Sequence, residues 1–225
     1  MKFPYLKIWL SNLGRFTKPR WIHFGNGVLN YLNVGRWFQD RNLAIPLRCG
    51  DRFRLADAVA QRVKEPASYL EFGVFKGATL RHWAGLLKHP ETNFYGFDSF
   101  EGLPENWRVV TKDEFKVDHL PQIPDARVSL VKGWFSETLP GFVQGFVPRP
   151  SLVLHLDADL YSSTVVVLRA MRPYMKPGTI LIFDEFFDRE HELKAFDEFL
   201  AETGLKVECI GATQSLTQAA FRITG

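Results

Sequence analysis

An α/β fold with a mostly parallel, seven-stranded sheet is predicted by three features of this 225-residue sequence. Short apolar runs alternate with helical stretches from Ser68 onward, the pattern of parallel strands joined by crossover helices. Glycine turns separate them, as in Phe72-Gly-Val-Phe-Lys-Gly77 and Lys176-Pro-Gly178. The last two apolar runs are linked by Gly211 to Gln218, a connection short enough for an antiparallel pair.

The elements follow in order. Ser68–Phe72 is a short apolar strand that runs into the first glycine turn, and Ala78–Lys88 reads as a helix. Asn93–Asp98 is the second strand. Ser99 to about Pro124 is irregular, rich in proline and charge. Arg127–Val131 is a third strand, and Ser136–Phe146 is weakly helical. Ser151–Leu156 is the fourth strand, followed by a helix over Ser162–Met171 that Pro173 and the Lys176-Pro-Gly turn end. Thr179–Phe183 is the fifth strand. Glu190–Thr203 is helical, with Leu193, Phe196, Phe199 and Leu200 at helical spacing. Lys206–Ile210 and Ala219–Ile223 close the sheet as the antiparallel pair.

Residues 51–225 thus form one domain, and residues 1–50 an N-terminal arm or helical extension. Hydrophobic residues make up 46% and charged residues 24%, enough for a packed core and against disorder. No apolar run approaches the ~20 residues of a membrane span. The start of the chain has no long apolar core followed by a cleavage site, so no secretory signal is read. Cys49 and Cys209 form no CxxC, and a reduced, cytoplasmic chain is expected. The charge is uneven. Residues 1–41 carry Lys2, Lys7, Arg15, Lys18, Arg20, Arg36 and Arg41 against Asp40 alone, although the whole chain is only +3. Trp9, Phe16, Trp21, Phe24, Tyr31, Trp37 and Phe38 lie in the same segment. Basic and aromatic residues together suit nucleic acid, a membrane surface or an anionic ligand. Packing onto the main domain or a second subunit is the simpler account, and a homo-oligomer is expected.

Carboxylates gather at one edge of the expected sheet. Glu71 lies inside the end of its strand, and Asp98, Asp157 and the pair Asp184-Glu185 end theirs. Parallel sheets bind ligands beyond their carboxyl edge, near the point where strand order reverses. Acids scattered only by solvent exposure would not favour that edge on four strands. The glycine turn Glu71-Phe-Gly73-Val-Phe-Lys-Gly77 lets the backbone bend sharply and a ligand approach closely. Asp98 follows at the distance where an acid binds the ribose hydroxyls of a nucleoside-like cofactor; capping the next turn is its alternative. Asp157, Asp184 and Glu185 are hard oxygen ligands suited to Mg²⁺ or a similar divalent cation. Asp159 shares the Asp157 turn and could take a proton from a hydroxyl, as a general base. His191 begins a helix beyond Asp184 and could line the cavity as a second catalytic group, or sit on the helix surface. His155 shares a face with Asp157 and is either a support for it or a core histidine.

Several stretches carry a resemblance: YLEFGVFKGATLRHWA, FYGFDSFEGLPENW, VSLVKGWFSETLPGF, LHLDADLYSSTVVVLRAMRPYMKPGTILIFDEF and HELKAFDEF. Together, from about Tyr69 to Phe199, they resemble the macrocin O-methyltransferase family, metal-dependent sugar O-methyltransferases of macrolide and aminocoumarin biosynthesis. The resemblance implies a class I methyltransferase (Rossmann-like) fold that uses S-adenosylmethionine and Mg²⁺. It implies that Glu71, Gly73 and Asp98 hold the cofactor with Ser99 beside the adenosine, Gly77 completing the turn. It assigns the metal to Asp157, Asp184 and Glu185, where family members often carry Asp-Asp at the last two, and the base to Asp159. Two neighbouring hydroxyls could chelate the metal, so a vicinal diol on a small molecule, a sugar or glycosylated natural product, is the expected acceptor. Two other enzymes share features of the chain. The DxD of Asp157-Ala-Asp159 occurs in metal-dependent glycosyltransferases, but this chain lacks a diphosphate cradle. The basic arm would serve an RNA methyltransferase, yet no RNA-reading motif is present, and no nucleic-acid partner is expected.

Overall fold

The computed structural model describes residues 4–105, 111 and 113–225. Two units divide between Asn42 and Leu43. The first consists of α1 (Pro4–Gly14) and α2 (Pro19–Asp40), the latter opened by a proline whose fixed φ suits a first helical turn. Lys2, counted in the basic arm, and residues 106–110 and 112 of the expected irregular stretch lie outside the described residues.

The second unit is built on one sheet. Its elements are β1 (Arg48–Cys49), α3 (Arg52–Ala60), β2 (Ala67–Phe72), α4 (Ala78–Leu86), β3 (Asn93–Asp98), β4 (Val128–Lys132), α5 (Phe135–Gly145), β5 (Ser151–Leu156), α6 (Tyr161–Met171), β6 (Ile180–Phe183), α7 (Glu192–Thr203), β7 (Val207–Thr213) and β8 (Ala219–Ile223). The strand order is β1-β7-β8-β6-β5-β2-β3-β4. Only β8 runs antiparallel, against both β6 and β7. All seven expected strands are present, and β1 adds an eighth at the edge, parallel to β7. Through β1, residues 43–50 fall in this unit, so the division lies earlier than the expected one after residue 50.

Packing follows from strand periodicity. β2 is buried at every position because it is central and covered on both faces. Tyr69 faces α4, its ring stacked on Trp83 at 4.8 Å. Phe72 and its neighbour Phe97 turn the other way, where Phe142 of α5 meets Phe97 edge-on at 4.9 Å. Under β6 and β8, Phe183, Phe186, Phe196 and Phe221 form an aromatic cluster with centroids as close as 4.6 Å. α7 ends where Gly204 adopts the left-handed conformation (φ 68°) and donates its N–H to the Leu200 carbonyl.

The chain runs outward from β2 to β4, then returns to β5 on the other side of β2. The β2/β5 boundary is therefore the switch point, where a crevice opens at the carboxyl edge. Register sets Glu71 opposite His155 and Phe72 opposite Leu156, and Leu156 opposite Phe183. The strand ends bearing Glu71, Asp157 and Asp184 are thus side by side.

Candidate active site

A cavity of about 530 Å³ occupies this crevice, a volume typical of small-molecule sites. Glu71, Gly73, Asp98, Ser99, Asp157, Asp159, Asp184 and Glu185 all line it. Gly77 and His191 are not among its lining residues.

The glycine turn forms the floor. Gly73 has φ 102°, and a Cβ placed on it would stand 1.9 Å from the Asp157 carbonyl oxygen. The backbones of β2 and β5 touch there, and only glycine fits. Asp98 holds the turn's shape. Its Oδ2 accepts the N–H groups of Val74 and Phe75 at 2.8 and 2.7 Å, and its Oδ1 accepts that of Phe100 at 2.7 Å. A carboxylate has about four acceptor sites, so roughly one remains for a ligand. Ser99 turns its hydroxyl to the Gly102 carbonyl at 2.8 Å, closing the next bend. Gly77 has φ 72° and caps α4, its N–H donated to the Val74 carbonyl at 2.7 Å. It shapes the turn from behind.

Behind the floor runs a buried polar line across three strands. Tyr69 donates its hydroxyl to Glu71 Oε2 at 2.7 Å and also meets His155 Nδ1 at 2.7 Å. His155 Nε2 faces Asp184 Oδ1 at 3.6 Å, too long for a hydrogen bond, and neither atom has a hydrogen-bond partner among the described residues. Gln218 Nε2 donates to Asp184 Oδ2 at 3.2 Å, and the Arg52 guanidinium stands 3.7 Å from the same oxygen.

Charge is divided unequally along this line. Burial works against ionisation of Asp184, but His155, Arg52 and Gln218 outweigh it and hold the carboxyl below its ordinary value. Asp157 goes the other way. Burial, then the nearby carboxylates of Asp184, Asp159, Glu192 and Glu71, push it well up. Burial raises Glu71 to about 7, against the pull of His155 and Tyr69. The sign of the resulting pH dependence is fixed. The stability carried by a protonated Glu71 is complete below its unfolded value of 4.5 and is lost as pH rises through about 7. The ligand-free protein should lose up to ~3 kcal/mol across that window. Glu71→Gln should flatten the slope in thermal melts at a series of pH values. Parallel slopes for the two proteins would exclude this carboxyl as the source.

Two side chains at the start of α7 tie the acid loops together. Glu192, fully buried, accepts Ala158 N–H on Oε1 at 3.2 Å and Glu185 N–H on Oε2 at 2.8 Å. His191 Nδ1 accepts the Tyr161 N–H at 3.2 Å. Between these anchors Asp159 sits at φ 58°, a left-handed conformation that costs a non-glycine residue about 1 kcal/mol or more. His191 thus supports the loop from outside the cavity. Glu192, Tyr69 and Arg52 were not singled out from sequence. Glu192 did leave a signal: it lies four residues before Phe196, a charge on the apolar stripe of α7.

The cation question turns on these donors. Carboxylate oxygens suit a hard divalent ion, and Asp184 Oδ1 is buried with no hydrogen-bond partner. Among the described residues, however, no three acid, His or Cys groups are already gathered at ligand distance.

Comparison with known proteins agrees with the fold. Residues 70–186 match the family model described as a methyltransferase domain. The tetracenomycin-C rhamnosyl 4'-O-methyltransferase of Streptomyces olivaceus is 31% identical over 158 residues, 59% of this chain and 55% of that protein. The chain thus spans about half the length of that relative. Demethyldecarbamoylnovobiocin O-methyltransferase of Streptomyces niveus is 25% identical over 204 residues, 79% of this chain and 75% of the other. The crystal structure of the calicheamicin methyltransferase CalS11 superposes with a TM-score of 0.57 at 21% identity, covering 98% of this chain and 87% of that one. The names of these relatives are those of tetracenomycin and novobiocin O-methyltransferases, so the likeness is not to macrocin enzymes in particular. The architecture is the Rossmann-like class I methyltransferase fold, and by a match over more than half its length this chain belongs to the methyltransferase-domain family.

Proposed function

We propose that this chain methylates a hydroxyl group of a small molecule, using S-adenosylmethionine. The observation that carries this reading is the convergence of Gly73, Asp98, Asp157, Asp159 and Asp184 on one cavity at the switch point. The names of the relatives support a sugar or glycosylated natural product as acceptor, because one of them is named as the 4'-O-methyltransferase of a rhamnosyl-bearing tetracenomycin.

When bound, S-adenosylmethionine supplies a methyl group on a sulfonium sulfur, open to in-line attack. The chain's own residues do the rest. Gly73 lets the glycine turn pack directly on the Asp157 backbone, Asp98 offers its remaining acceptor site to a ribose hydroxyl, and Glu71 and Ser99 flank it. Asp159 would accept the acceptor's hydroxyl proton, leaving an oxygen nucleophilic enough to take the methyl group. Asp157, Asp184 and Glu185 would hold a Mg²⁺ ion, which would orient and acidify a vicinal diol. The crowding of carboxylates around Asp157 and the buried Asp184 oxygen, which has no hydrogen-bond partner among the described residues, support that assignment.

Calorimetry tests the donor first: S-adenosylmethionine and S-adenosylhomocysteine should both bind without added metal. No heat with either would end the reading. The metal is tested separately by turnover of deoxysugar-bearing acceptors. EDTA should abolish methyl transfer and excess Mg²⁺ restore it, and Asp157→Asn should need more Mg²⁺ for the same rate. Turnover indifferent to EDTA would remove the ion and leave the acids to act alone.

A further inference from the structure

The N-terminal unit presents an apolar face that the active site does not explain. Among the described residues, fourteen of the sixteen exposed large apolar side chains lie between Tyr5 and Leu32. On α1, Tyr5, Leu6, Trp9 and Leu13 fall on one broad face, with Lys7 and Ser11 opposite, and Phe16 follows in the turn after the helix. Tyr5 and Phe16 are 85% and 87% exposed. On α2, Trp21, Phe24 and Leu32 continue the exposure. Isolated exposed apolar residues are ordinary, but a run of this density marks a contact surface.

Charge identifies the partner. Before Asp40 the chain has six basic residues and no acid, and Asp40 itself is paired with Arg36 at 2.7 Å. Arg15, Lys18 and Arg20 flank Phe16 at the turn between the helices. Pairing this face with the same face of a second copy would set cations against cations. RNA would match the charge but leave the exposed Leu6, Ile8, Leu10 and Leu13 in water. An anionic bilayer surface satisfies both, burying the apolar face at the acyl boundary and neutralising the basic residues with headgroups. Neither helix is long and apolar enough to cross a membrane. Asn26, Asn30 and Asn33 interrupt α2, consistent with helices lying in the plane of the interface.

We propose that α1 and α2 bind the surface of an anionic lipid bilayer, with Trp, Phe and Tyr at headgroup depth. This stands apart from the reading of the active site.

The full chain is mixed with vesicles of phosphatidylcholine, or of phosphatidylcholine with phosphatidylglycerol as the minor anionic component, and sedimented. It should pellet with the anionic vesicles only, with a blue shift in tryptophan emission, and less so at high salt. Trp9→Ser with Phe16→Ser should cut partitioning by ~10-fold or more, from lost apolar burial. Lys18→Glu with Arg20→Glu should also cut it ~10-fold or more, by reversing two charges. Both variants should keep wild-type binding of S-adenosylhomocysteine, which shows the second unit intact. Protein that stays in the supernatant with both vesicles overturns the proposal. So does a lipid-free dimer, seen by sedimentation equilibrium, that Trp9→Ser with Phe16→Ser dissociates while vesicles fail to bind. Salt-sensitive binding of an RNA oligonucleotide without vesicle binding overturns it too.

Discussion

Asparagine at Asp159 should lower kcat by ~10²–10⁴-fold while leaving the protein folded and able to bind S-adenosylmethionine. The substitution suits the position. Asp159 lies in the left-handed region (φ 58°), and asparagine is among the few residues that tolerate it, so the loop keeps its path. Size is kept and only basicity is removed. Raising pH should recover part of the rate, because hydroxide can replace a missing base, whereas added Mg²⁺ should not. Asp157→Asn should show the reverse, rescue by metal without rescue by pH. Single-turnover rates across pH and Mg²⁺ concentration separate the two. If both variants answer to metal alone, the two acids share one task and Asp159 is not the base.

Gly73→Ala should be the most damaging single change to the fold near the site. A methyl group there needs space held by the Asp157 carbonyl, 1.9 Å away, at φ 102°. Either the end of β5 shifts or the turn unfolds, and both spoil the contact between the glycine turn and the acid loop. A cost of ~3 kcal/mol or more is expected, lowering Tm by roughly 10 °C in a unit of this size, with donor binding lost. Gly85→Ala is the control. Gly85 lies in α4 with nothing within 4 Å of the added carbon. There alanine should be neutral or stabilise by up to ~1 kcal/mol. Equal melting curves for the two variants would mean that the strand contact is looser than it looks.

The strands and their acid ends were legible because each lies within one short run of sequence. Period-two burial and terminal carboxylates are local signals. The polar line Tyr69–Glu71–His155–Asp184 was not, because it depends on register between β2, β5 and β6, which no single segment encodes. Tyr69 looks like any apolar strand residue until His155 is placed beside it. β1 has only two residues, too few to show alternation, and it exists because β7 offers an edge. Gly77 and His191 illustrate the opposite limit. Sequence places them next to the site but cannot tell a residue that faces a cavity from one that braces its wall.

Glu192 joins the loop after β5 to the loop after β6 with one carboxyl group. The two segments that carry the acids are therefore mechanically coupled through one side chain. A lineage that altered one loop to admit a bulkier acceptor would have to alter the first turn of α7 as well, or lose the alignment of the other. Diversification of substrate should then proceed by exchanging the β5-to-α7 block whole, while the glycine-turn half, joined to it at Gly73, stays unchanged.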